Sequence, residues 1–261
     1  MTEKKLTFWE HLDELRVVLI RIVIAVVAVA LIAFAFKEIL FTIILAPHKA
    51  DFILYRLINQ LSSALSWPQM SLPEFDVKLI STELTAQFLV HMKAAFYAAM
   101  LLSSPYIIYI LFRYISPALY ENEKQYSGRI LFWAYSLFFL GVLLSYYIIF
   151  PLSFRFLGTY QVSPEVVNTI TLSSYMQTLV VLSLLMGIMF EIPVLAWFFA
   201  KIGLLKADFM KKKRRYAIVI ILIVAAVITP TGDIFTLSIV SLPIFLLYEI
   251  SILLVAKTTK V

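Results

Sequence analysis

The 261-residue chain contains no cysteine, which excludes disulfides, thiol nucleophiles and cysteine-ligated metals. Its three histidines, His11, His48 and His91, are too scattered along the chain for a zinc site. Glycine is scarce at six residues and charged residues make up only 15%, a balance that does not describe a soluble globule. What is abundant is apolar surface: 62% hydrophobic residues and a mean hydropathy of +0.94 read as an all-α, polytopic membrane protein. The formal net charge of +6 would suggest nucleic acid for a soluble domain. In a membrane protein it is loop charge that sets orientation, so no nucleic-acid partner and no cofactor are expected.

Six apolar stretches follow one another, at 17–36, 88–115, 130–150, 175–199, 217–229 and 234–256. Each except the fifth has roughly the ~20 residues that cross a bilayer. The fifth stops at Pro230, so it crosses a thin region or falls short of one face. The first run ends in Ala33-Phe34-Ala35, a formal signal-peptidase pattern. Its length and the acids before it instead predict a retained span. Pro105, Pro193 and Pro243 lie inside spans, where a missing N–H should kink the helices and favour a curved, concave bundle. One continuous membrane domain, 1–261, is expected, without internal repeats.

Lysine and arginine crowd one side of this frame, above all at 211–215, while the other side holds only Lys37, Lys49, Arg56, Lys78 and Arg155. The bias places both termini in the cytoplasm. The basic run at 211–215 could also touch anionic lipid. Segment 37–83, with its Trp67-Pro68 and Leu72-Pro73 breaks, is too small for a domain and predicts an outer cap of short interfacial helices.

The junction into the first span reads Phe8-Trp9-Glu10-His11-Leu12-Asp13-Glu14-Leu15-Arg16. Thr7 and Glu10 match a capping box, and Phe8, Leu12, Leu15 and Leu19 recur at helical spacing. Asp13 lies three residues before Arg16, so an intrahelical ion pair is expected there. Glu14 has no such partner, because Arg16 two residues on faces another side of the helix. Two readings of Glu14 stand at this point: a solvated surface acid, or a ligand for a basic group. A second acidic site follows Ser116-Pro117, a helix start, where Glu121 and Glu123 share the membrane face of Glu14. Carboxylates from two segments could receive a basic peptide, with arginine the favoured guest for its planar fork.

In its motif order the chain resembles the TatC family, the multi-spanning subunit of the twin-arginine protein translocase. The points of resemblance are His11-Leu12-Asp13-Glu14-Leu15-Arg16, Leu45-Ala46-Pro47, Lys93 with Ser104-Pro105, and Ser116-Pro117-Ala118-Leu119 with Glu123-Lys124. They continue with Phe150-Pro151 closing span three, Phe190-Glu191-Ile192-Pro193, and Thr229-Pro230 with Asp233. The resemblance implies a receptor without catalytic chemistry in a bacterial cytoplasmic membrane. It would recognise the Arg-Arg motif of folded cargo and assemble with single-span TatB-like and TatA-like partners into an oligomeric complex driven by the proton-motive force. It implies a signal-peptide site at Glu14, Arg16, Glu123 and Lys124. The chain departs from many relatives at Val18, Glu121 and Tyr114.

Glu191, an acid inside span four, reads either as a carboxyl held neutral by burial or as the polar centre of a water-accessible face that thins the membrane. Lys93 raises the same question, with snorkelling as its bland alternative. The short fifth span and the sixth form an expected partner-docking edge at Val227, Thr229 and Asp233, with Glu249 as a polar contact for a partner helix. The rival reading is a proton-coupled secondary transporter of a small solute, with Glu191, Glu249 and Lys93 as its relay. That reading lacks inverted repeats and paired broken helices.

Overall fold

Long helices account for most of the chain because apolar runs of this length can satisfy their backbone within lipid only by coiling. The structure, a computed structural model, describes residues 8–65, 77–115, 127–163, 165–166, 168–229 and 231–258. Helix α1 runs Phe8–Ala35 and is followed by α2, Lys37–Ile44, a single 3-10 turn, Ala46–His48, and α3, Ile53–Ala64. Helix α4, Ala86–Ile115, packs along α1. Helix α5, Ser127–Leu144, continues through a π-helical segment, Ser145–Ile149, into α6, Phe150–Thr159. Then come α7, Leu172–Met189, and α8, Ile192–Lys201. The remaining helices are α9, Ala207–Lys212, α10, Arg214–Ile228, and α11, Ile234–Thr258.

Among the described residues, five stretches are long and apolar enough to cross a membrane: Trp9–Ala35, Ala86–Tyr114, Gly128–Thr159, Leu172–Lys201 and Ile234–Thr258. Helix α10, the expected fifth span, has 15 residues. At 1.5 Å per residue that is about 22 Å, short of the ~30 Å hydrocarbon core.

Two boundaries differ from expectation. Span three does not close at Pro151 but runs on to Thr159. The backbone switches to π geometry just before the proline, and the Phe150 N–H donates to the Ser145 carbonyl five residues back. Pro151 then lies at the start of α6, directly after this π segment, and the helix continues through it. Span four breaks at Phe190 and Glu191, and Pro193 sits in the first turn of α8. Pro105 and Pro243, by contrast, lie within continuous α4 and α11.

Within the segment expected to form a cap, α2, the 3-10 turn and α3 are held against the bundle by three tyrosines. Tyr146 donates to the Ile43 carbonyl at 2.6 Å and Tyr175 to that of Ile44 at 2.8 Å. Tyr55 Oη donates to the Pro151 carbonyl at 3.0 Å, with the Pro47 carbonyl 3.3 Å away. Burial pushes the Tyr55 phenol up to about 12, although the Arg155 guanidinium, 5.3 Å from its ring centre, pulls the other way. A parallel pairing absent from the sequence reading joins strand β1, Leu79–Ile80, to β2, Ile170–Thr171, with Leu79 opposite Ile170.

The core lies where α4, the π segment, α7 and α11 meet, around Val90, Leu179, Leu182, Met186, Val240 and Ile244. Helices α5 and α7 approach so closely that a Cβ on Gly141 would lie 2.7 Å from the Met186 carbonyl oxygen.

Candidate functional site

On α1, Glu10, Asp13, Glu14, Val17, Val18 and Arg21 recur every three or four residues, so they form one stripe of the helix. Tyr106, Tyr109, Ile110, Arg113 and Tyr114 do the same near the end of α4. The two stripes face one another across a groove of about 740 Å³, which all eleven residues line. Three carboxylates stand at the end nearest the start of α1, and Arg21 lies beyond the apolar Val17 and Val18.

The ends of the two helices are tied together at the groove's mouth. The His11 ring stacks on Tyr114 with centroids 4.5 Å apart and planes 14° from parallel. The Tyr114 hydroxyl donates to the His11 carbonyl at 3.3 Å, and His11 Nδ1 lies 3.9 Å from Glu14 Oε2. Glu14 therefore has a local partner, correcting the expectation that it had none. At that distance the contact is electrostatic and not a hydrogen bond, and the imidazole offsets the carboxylate charge only when it is protonated. Both side chains are about half exposed, so a guest can reach the acid. The expected Asp13–Arg16 pair does not form, and both residues are exposed to the surroundings.

The predicted site residues separate as follows. Glu14 lines the groove; Arg16 is exposed and lies outside its lining. Glu123 and Lys124, with the whole Ser116–Leu119 motif, fall outside the described residues, as do Thr7 and Pro230. Lys93 is exposed on α4. Glu191 occupies the junction of α7 and α8, and its Oε1 is buried with no hydrogen-bond partner among the described residues.

At the expected docking edge, Val227 is 76% exposed on α10, while Thr229 is buried and donates back to the Ala225 carbonyl at 3.0 Å. Asp233 caps α11: its Oδ1 accepts the Thr236 N–H at 2.7 Å and its Oδ2 accepts the Thr231 hydroxyl at 2.6 Å. Glu249 is engaged within the chain, its Oε2 2.7 Å from Arg214 Nη2.

Sequence reasoning passed over Arg21, Tyr106 and Tyr109. Arg21 carried a usable signal: a charge inside an apolar run, seven residues and so two turns after Glu14. The tyrosines carried none, because only the packing of α4 on α1 turns them inward.

A model of the family described as Sec-independent protein translocase protein (TatC) matches residues 10–243. The Sec-independent protein translocase protein TatC of Blattabacterium sp. subsp. Periplaneta americana is 36% identical over 253 residues, covering 96% of this chain and 95% of the relative. That of Escherichia coli K12 is 30% identical over 243 residues, covering 93% of this chain and 85% of the relative. Among solved structures, the crystal structure of the twin arginine translocase receptor TatC superimposes with a TM-score of 0.76 at 31% identity, over 95% of this chain and 99% of that one. The long helices, the broken fourth span and the charged groove at the start of α1 thus sit on a frame shared along nearly its whole length, and the chain belongs to the TatC family of Sec-independent protein translocase subunits.

Proposed function

We propose that the groove between α1 and α4 receives the Arg-Arg motif of twin-arginine signal peptides, making this subunit the cargo receptor of its translocase. The observation that carries this reading is the gathering of Glu10, Asp13 and Glu14 with Tyr106, Tyr109 and Tyr114 in one open groove. Carboxylates supply bidentate acceptors for guanidinium groups, and tyrosine faces stack on them. Val17, Val18 and Ile110 offer an apolar continuation for the hydrophobic run that follows the arginines in a signal peptide. Glu123 and Lys124, outside the described residues, are assigned to the same site by the family resemblance. Arg16 lies off the groove wall and orients the approaching peptide by charge.

The topology that goes with this function has both termini and the 206–215 loop in the cytoplasm, with α10 as a sixth, short crossing. The basic asymmetry between the two sets of loops supports it. The half-buried Glu191 at the α7–α8 break, its Oε1 unpartnered among the described residues, suits the polar centre of a concave face that thins the membrane there. The edge made by α10 and α11, with exposed Val227 beside the Asp233 turn, suits single-span TatA-like and TatB-like partners.

A photocrosslinking residue at Val17, in full-length protein within inverted membrane vesicles, tests the reading. It should capture an Arg-Arg signal peptide supplied from the cytoplasmic face, and a probe at Leu31, nearer the other end of α1, should not. Capture at Leu31 without capture at Val17 would move the receptor site away from this groove.

A further inference from the structure

Arg21 stands in a membrane-spanning helix, yet among the described residues no carboxylate lies within ion-pair distance of it. A guanidinium at that depth requires an anion or a polar headgroup. It lines the same groove as Asp13 and Glu14, with Val17 and Val18 between them. Along the helix axis Glu14 and Arg21 are separated by about 10 Å. An arginine stem is long enough to reach back toward the interface and close part of that gap.

On the α1 wall the groove is ordered by charge, acids outermost, then Arg21, then apolar helix, while α4 adds Arg113 near the acid end. A phosphatidylethanolamine molecule is ordered in the matching sense, with its ammonium outermost, its phosphate next and its acyl chains deepest. We propose that the α1–α4 groove binds the headgroup of a phosphatidylethanolamine lipid, with Asp13 and Glu14 accepting the ammonium N–H groups and Arg21 holding the phosphate. Tyr106 and Tyr109, from α4, face the same space and offer hydroxyl donors to the phosphate oxygens. The ammonium matters because a quaternary choline has no N–H to donate, and a glycerol headgroup carries no positive charge. The occupant would hold the groove until a guest with two guanidinium groups displaces it. This displacement step rests on the receptor reading above; the lipid site itself does not.

The test uses the full-length protein in dodecyl maltoside, with labelled phosphatidylethanolamine, phosphatidylcholine and phosphatidylglycerol of identical acyl chains, and retention read by native mass spectrometry. The parent should retain phosphatidylethanolamine at least tenfold over both others. R21Q should lose at least tenfold of that retention, R21K should keep more of it than R21Q, and K37Q, beyond the far end of α1, should match the parent. E14Q should reduce the preference for phosphatidylethanolamine over phosphatidylcholine. Equal retention of all three lipids, a preference for phosphatidylglycerol, or an R21Q variant that retains lipid like the parent would overturn the proposal. An Arg-Arg signal peptide should then displace the lipid. If selective retention depends on Arg21 but the peptide leaves the lipid in place, the lipid site stands and the receptor site lies elsewhere.

Discussion

The Arg214 guanidinium lies 2.7 Å from the Glu249 carboxylate, so the first residue of α10 is tied to the middle of α11. A second tie lies beside it, where the Tyr248 hydroxyl donates to the Met210 carbonyl at 2.8 Å. Helix α10 is too short to be anchored by both membrane interfaces; the Arg214 contact ties its basic end to α11, and the Tyr248 contact ties the preceding α9. Reversing either charge alone, as R214E or E249R, should lower the thermal midpoint of the purified protein. The double reversal should restore most of the loss, with a coupling of about 1 kcal/mol. Additive effects in the double variant would show that the contact contributes nothing.

A Cβ on Gly141 would meet the Met186 carbonyl at 2.7 Å and the Phe190 ring at 2.8 Å, whereas one on Gly128, in the same helix, meets nothing within 4 Å. Gly141→Ala should therefore destabilise by about 1 to 3 kcal/mol as α5 is pushed off α7. Gly128→Ala should be neutral or stabilise by up to about 1 kcal/mol through helix propensity. Gly187→Ala should fall between them, since its Cβ would meet the Phe138 ring edge at 2.8 Å, and a ring can shift where backbone cannot. Thermal unfolding of the three variants in one detergent checks the order.

Burial pushes the Asp233 carboxyl upward, but the hydrogen bonds from the Thr231 hydroxyl and the Thr236 amide outweigh it and hold the group below its ordinary 3.8. A depressed carboxyl stabilises the fold above its unfolded value, and that contribution is lost as pH falls through the folded one. Asp233→Ala should cost about 1 kcal/mol at neutral pH through loss of the α11 cap. The gap between parent and Asp233→Ala should narrow as the medium is acidified below about pH 4. A gap independent of pH would show that the carboxylate charge is not what caps the helix.

Much of this architecture was legible in the chain because lipid enforces simple rules: apolar length marked the long spans, while of three internal prolines only Pro193 accompanies a break. Pro151 misled, since a proline after a π turn can start a new helical segment without ending the span. The pairing of β1 with β2 joins residues about ninety positions apart through two-residue strands, too short to leave a periodic signal. At the site, the acids were visible as charges next to a span. His11, one turn before Glu14 on the same helix, was legible in the spacing but passed over, whereas the tyrosines opposite depended on how α4 packs against α1. Glu249 read as a contact for another chain because its partner, Arg214, lay hidden in a basic run that topology alone explained.

The central claim is that the carboxylates of the α1–α4 groove select the Arg-Arg pair, and equilibrium binding of signal peptides to purified full-length protein tests it most directly. The parent should bind an Arg-Arg peptide well and its Lys-Lys counterpart poorly, because lysine offers a point charge where arginine offers a fork. Glu14→Gln keeps the size of the side chain and removes its charge. It should weaken Arg-Arg binding by about 1.5 to 3 kcal/mol and narrow the gap between the two peptides, and Glu123→Gln should weaken Arg-Arg binding similarly. Parent-like affinity of both glutamine variants for both peptides would contradict the claim and leave these carboxylates as solvated surface acids.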